Sequence, residues 1–552
     1  MHRVRLAGPV VALALLGSGL AGCGESGAGS GGGLSGGTPA PAPTPAPAPT
    51  PTPTATTITL INQPPVDVYF AMLLTDGSVM AQANPEGTPG TSAGDFYRLT
   101  PDANGDYAKG IWTHLSKPPT GYAPYASAEA VLADGRVLFV GGEYNQDNYS
   151  FPFAPSGLTN MSAVYDPVAD SWQMIAPPPG APYIGDVPSA VLPDGRFVFG
   201  LKLGRTMWAL DPAALTWSSL PATNKNDDFA EEGFTMLPGG NILTVDVGAP
   251  PRAEHYLTAS GSWVSDGATP VVLTSPTGTP GGAGYGPAPV QVVGGITYGP
   301  GPTGTYFPPG EIGPQILRPD GSVFVVGAIA GSAAAHTAVY HPGATPGVSG
   351  SWTAGPDFPA IDDGDDSSAA LLVSGNVLVA GASGALYEFD GTNFRTTLAR
   401  PFANQNSAMF LLPLPSGQVL MLTPGLAARA RLYVPLGGPL AAWAPTIASV
   451  PTNITRGQTY ALTGTQLNGL SEAAAVGDEL TAATNYPLVR LTNQGTGHVW
   501  YARTHGHTMG VATGAASVTT QFDVPAGTET GATTLVVIAD GIASSPVTVT
   551  VS

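Results

Sequence analysis

Residues 127–143, SAEAVLADGRVLFVGGE, and 161–179, MSAVYDPVADSWQMIAPPP, read as four short strands. An apolar run at 128–132 meets Asp134-Gly135, and 137–140 returns to Gly141-Gly142. Beyond a loop, 162–165 meets Asp166-Pro167, and a last strand carries Trp172. Runs of four or five apolar and β-branched residues bounded by Gly, Pro and Asp predict a buried antiparallel meander.

The same unit recurs along the chain. Its turn stands at Asp76-Gly77, Asp134-Gly135, Asp194-Gly195, Gly239-Gly240, Asp320-Gly321, Ser374-Gly375 and Ser416-Gly417. An aromatic closes each unit: Trp112, Trp172, Trp217, Trp263, Trp352, Phe394 and Trp443. A lone four-stranded sheet cannot cover its own apolar faces, so the units must pack in a ring. The expectation is an all-β, seven-bladed β-propeller. ITLIN at 58–62 precedes the first blade and is placed to pair with the seventh, protecting an exposed edge. Residues 274–310, rich in Gly, Pro and Tyr, are too long for a simple connection between blades four and five.

The Gly141-Gly142 pair, Val164-Tyr165-Asp166-Pro167 and the spaced Trp172 resemble kelch repeats. Seven such blades followed by a small β-sandwich resemble the galactose oxidase and glyoxal oxidase architecture, over roughly residues 58–552. That resemblance implies a propeller at 58–447 and an immunoglobulin-like, early-set sandwich at 448–552, one loop of which reaches towards the central channel. The alternation in YPLVRLTN, HVWYARTH and SPVTVTVS supports the sandwich independently.

The resemblance also implies copper held with a Cys-linked Tyr, a Tyr beside a His, and a sandwich His. The sequence departs from this at the first requirement, since Cys23 is the only cysteine in 552 residues. Tyr340-His341 looks like the Tyr-His pair, but AVYHPG aligns with AVYDPV at 163–168 and reads as a third strand. His498 matches the sandwich His by resemblance. Copper-radical oxidation is not expected.

Cys23 has another role. Arg3 and Arg5 precede a short apolar run at 6–16 that ends in Leu-Ala-Gly-Cys, so 1–23 reads as an export signal resembling the bacterial lipobox. Acylated Cys23 would anchor the chain stably to a membrane, with an outer-membrane or surface site expected. Residues 24–57 read as a linker, first Gly/Ser-rich and flexible, then Pro/Thr/Ala-rich and semi-rigid.

A formal net charge of −19 argues against nucleic acid as a partner, which would want a basic face. Aligned on the Leu before each turn, Asp186, Glu231, Glu311 and Asp366 stand six residues upstream of Leu192, Leu237, Leu317 and Leu372. This places an arc of carboxylates at the channel mouth, suited to a hard cation or to ligand hydroxyls and amines. In the sandwich, His505 and His507 stand two apart and would face one way on an extended strand, as a metal pair. Arg503 is the alternative, docking the domains onto a propeller carboxylate.

No nucleophile motif, phosphate loop or dinucleotide fingerprint is present. Three readings remain open. One is an anchored module binding a glycan or protein partner. The second is a metal-dependent oxidase or a hydrolase acting on a carbohydrate-like substrate. The third is an envelope scaffold. The anchor, the spacer and the acidic arc favour binding.

Overall fold

A computed structural model describes residues 55–85, 88, 90–145, 158–275, 290–300, 310–328, 334–365, 367–398, 409–477 and 482–552. Residues Met1–Pro53 separate as their own unit and lie outside these, Cys23 included. Thr54–Ser552 forms one compact unit. Among the described residues there is no α-helix, and strands are joined by turns and two short 3-10 segments.

Seven four-stranded antiparallel meanders form the propeller. Blade two pairs Ala128–Val131, Val137–Val140, Ser162–Asp166 and Ser171–Ile175 in order. The seven turn glycines all adopt φ between 74° and 87°, a left-handed region that a Cβ disfavours. Each donates its N–H to the carbonyl three residues back, at 2.8–3.0 Å. In blade five that acceptor is Arg318, not Leu317, so the alignment on Leu slips by one residue there.

The closing aromatics sit opposite a large side chain on the third strand. Tyr165–Trp172, Tyr256–Trp263 and Tyr340–Trp352 bring ring centroids to 5.0–5.3 Å. Tyr340 is therefore a packing residue, while His341 is exposed and bonds Thr353 Oγ1 at 3.2 Å. Three indoles also join neighbouring blades: Trp112 Nε1 donates to Asn62 O, Trp172 Nε1 to Ser116 O, and Trp217 Nε1 to Ala176 O, at 2.7–3.1 Å.

Blade seven differs from its expected plan. Trp443 stands in a 3-10 turn, Ala441–Trp443, and closes nothing. The outermost strand is instead Thr56–Thr59, paired with Ala430–Val434 from Thr56↔Val434 to Thr59↔Arg431. The ring is closed by the start of the folded chain, and this strand begins two residues inside the stretch that composition assigns to the linker.

The C-terminal strands form one nine-stranded sheet that folds over a single core. Val499–His505 joins its halves, pairing first with Leu488–Asn493 and then with Ser517–Asp523. Leu462, Val489, Leu491, Phe522, Leu535 and Val537 fill the space between.

Candidate functional site

Each blade has its inner turn on one face of the ring and the start of its innermost strand on the other, the mouth. The C-terminal strands cover the turn face of blades one and two. Val499 N donates to Ala103 O, Thr504 N to Thr75 O and Gly506 N to Ala133 O, at 2.7–3.1 Å. Arg503 meets the propeller here, but at the Asp134 backbone carbonyl and not at the expected propeller carboxylate; its carboxylate partner is Asp523, in the C-terminal sheet.

From this side a finger, described at residues 466–477 and 482–486, enters the bore. Ala474–Val476 adds a fifth strand to blade six, pairing Ser368↔Val476 and Ala370↔Ala474. Leu371 N donates to Ala473 O, and Gly477 N to Ser367 O, both at 2.7 Å. On the return, Tyr486 Oη donates to Leu73 O of blade one. Three successive alanines, Ala473 to Ala475, let the backbone fit among seven converging strands. The bore is filled from the turn face, which leaves the mouth.

Two carboxyls sit at the finger's root. Glu472 accepts from Met236 N at 2.8 Å, and burial pushes it up to about 7. Asp540 accepts from Leu470 N at 3.2 Å, and burial pushes it up to about 8, with Glu472 adding to the rise. Unfolded, both would titrate near the usual carboxylate range, about 4. The folded state therefore holds protons the unfolded state releases. Their contribution is full below about pH 4 and is lost as pH rises through about 7 to 8. His507 opposes this only at lower pH, because burial pushes it down to about 4 and its cost appears as pH falls below its ordinary 6.5. Between pH 6.5 and 8 the acids dominate. Resistance to urea should fall across that window, and Glu472→Gln should flatten the slope; equal slopes in parent and variant would count against the finger acids.

At the mouth, the arc is assembled in part. Asp186 and Glu231 both pair with Lys202, whose Nζ lies 2.8 Å from Glu231 Oε1, and all three are buried. Glu231 and Glu311 form a parallel backbone bridge despite the one-residue slip in blade five. Asp366 lies outside the described residues. Asp362 is committed to structure, accepting from Ser383 N, Ser383 Oγ and Tyr387 Oη. Lys202 has no place in the repeat alignment that locates the acids. Its signal is scarcity: of four lysines in the chain, Lys202 and Lys225 are wholly buried among carboxylates.

The insertion between blades four and five starts and ends beside this arc, with Ser275 N donating to Glu311 O at 2.8 Å. Its hairpin, Gln291–Val293 with Ile296–Tyr298, rests on blade two. There Tyr298 Oη donates to Ile175 O at 2.7 Å, and Gly299 N to Asn160 Oδ1 at 2.9 Å. Both anchorages are on the mouth face.

The histidines are not gathered there. The strand Val499–His505 ends at His505, and Gly506 turns left-handed at φ 61°, so the extended spacing that would align His505 with His507 is interrupted. His505 Nε2 is 3.0 Å from Asp523 Oδ1. His507 is buried against Tyr486, with neither ring nitrogen hydrogen-bonded. His498 pairs with Glu529 at 2.8 Å on the half-exposed surface of the C-terminal sheet, and the finger itself carries no histidine. Among the described residues, three or more metal-type ligands converge only at Asp227, Asp246 and Glu254. The donor set of a copper-radical centre does not fit this chain. A separate groove of about 800 Å³, lined by Leu237, Arg318, Tyr340 and Phe389, opens at the turns of blades four to six, away from the arc.

No protein-family model and no curated protein matches the chain. Among solved structures, a fungal alcohol oxidase of the AA5 family, in complex with copper, is 13% identical, with a TM-score of 0.49. That alignment covers 91% of this chain and 100% of that one. A catalytically inactive virginiamycin B lyase from Staphylococcus aureus, with quinupristin, is 10% identical, with a TM-score of 0.42, covering 69% and 98%. Likeness at this level concerns chain arrangement alone, and the seven blades rest on the strand pairings above.

Proposed function

We propose that the protein is an envelope-displayed binding module, held on an acylated Cys23 and presenting the propeller mouth to a glycan or protein partner. The observation that carries this reading is the filled bore. With the finger inside it and the C-terminal strands over part of the turn face, the mouth is where a ligand meets the ring axis. Carboxylates there accept hydrogen bonds from hydroxyls and amines. Asp186 and Glu231 are both paired with the buried Lys202 ammonium, which fixes where their oxygens point. In the same proposal the blades are kelch-like, supported by the left-handed Gly141 and Gly142 and the repeated Tyr–Trp contacts, and the C-terminal sheet is immunoglobulin-like.

Glu311 is the least buried of the three described acids, at 7% exposure. A hydrogen bond to a charged group contributes about 1.5–3 kcal/mol. In a variant that still folds, Glu311→Gln should therefore weaken binding to the best hit of a glycan array roughly tenfold or more. A folded variant that binds as the parent does would sink the mouth as the binding site.

A further inference from the structure

The connection from blade three to blade four, residues 225–232, closes with two blade-four strands around a second buried lysine. Lys225 is wholly buried. Its Nζ pairs with Asp227 Oδ1, lies 2.9 Å from Glu254 Oε1, 3.5 Å from Glu232 Oε1 and 3.7 Å from Asp246 Oδ1. It also sits 4.8 Å from the ring centre of Phe229 and 5.4 Å from that of Trp263. Neutral donors supply part of the rest: Asn226 N to Glu254, Asn226 Nδ2 to Asp246 Oδ2 at 2.6 Å, and Gly248 N to Asp227 Oδ2 at 2.9 Å. Arg252 reaches the nest only through Asn226 Oδ1.

Four carboxylates against one ammonium leave a formal charge of minus three in a buried space. Such an excess must be met by protons or by another cation.

Two geometric observations point to a cation. Single oxygens of Asp227, Asp246 and Glu254 lie within 4.8 Å of one another, the span of ligands about 2.4 Å from a shared ion. Independently, both oxygens of Glu232 and Oδ1 of Asp246 are buried without any hydrogen-bond donor, although they face the same ammonium. An all-oxygen, anionic and irregular donor set suits Ca²⁺ better than Mg²⁺, which demands near-octahedral geometry and keeps its waters.

We propose that this nest is a Ca²⁺-type site, with Asp227, Asp246 and Glu254 as ligands and Glu232 closing the shell beside Lys225. The ion reduces the formal charge from minus three to minus one. It also fixes residue 232, next to Glu231 on the mouth floor.

The test uses the full chain stripped with chelator. Tb³⁺ is added with excitation of tryptophan, then displaced with Ca²⁺, and Ca²⁺ binding is measured by calorimetry. One saturable, Ca²⁺-displaceable luminescence site is expected, because Trp263 lies close enough to sensitise it. Glu232→Gln should weaken Ca²⁺ at least tenfold; should that variant fail to fold, Asp246→Asn, which keeps its shape, should show the same loss. Trp263→Phe should abolish the luminescence while calorimetric Ca²⁺ binding persists. No saturable site in the parent, or unchanged affinity in a folded Glu232→Gln or Asp246→Asn variant, overturns the proposal and leaves protons as the neutralising charge.

Discussion

Lys202→Met should destabilise the protein by about 3–5 kcal/mol, read as a lower urea midpoint by tryptophan fluorescence. The substitution keeps the length and apolar stem of the side chain, so little packing is lost. What it removes is the ammonium shared by Asp186 and Glu231. Both carboxylates would stay behind, buried in a space that also holds Glu143 near enough to act on Lys202. Asp186 precedes the innermost strand of blade three and Glu231 that of blade four, so repulsion between them would push apart the mouth ends of adjacent blades. The companion variant separates charge from packing: Lys202→Met with Asp186→Asn and Glu231→Gln should recover most of the loss, because a neutral triad leaves no unpaired ion. A single variant with the parent's midpoint would show that the ion triad contributes nothing to the ring.

The blades were legible because their signal is local. A left-handed glycine one step after Asp, Ser or Gly, between two apolar runs, has few alternatives to an inner hairpin, and all seven positions are hairpin turns. Contacts between distant segments were less legible. Trp443 follows blade seven at the expected distance, yet the strand that completes that blade lies more than 370 residues earlier. The acids were located by a repeat alignment, but Lys202 belongs to a different loop and has no place in the repeat. Residues 466–486 show no periodicity that sets a bore-filling finger apart from a long surface loop. The pairing of His505 and His507 assumed continuous strand, and Gly506 breaks it. Turns are written in neighbouring residues; the mouth and the bore depend on segments that meet only once the ring has closed.

Ring closure gives the second large effect. A chain beginning at Pro64 lacks Thr56–Thr59 and leaves the backbone of Ala430–Val434 unpaired on one side. It also loses Leu60, at 2% exposure in the core shared by blades one and seven, and Asn62 O, the acceptor of the Trp112 indole. Gln63 goes too, whose side chain bonds Leu60 O, Ala430 O and Ala430 N. A few net hydrogen bonds at about 1 kcal/mol each and one buried leucine at about 2 kcal/mol sum to a loss on the order of 5 kcal/mol. The exposed strand edge should also drive association between molecules. Compared with a chain beginning at Ala55, the shorter one should show a lower urea midpoint and a larger, concentration-dependent mass by light scattering. Adding a synthetic peptide of residues 55–63 should reverse both, since an edge strand accepts a strand supplied from outside. If the shorter chain keeps the parent's midpoint and mass, the N-terminal strand is a passenger on blade seven, and the ring is held by contacts between the inner strands alone.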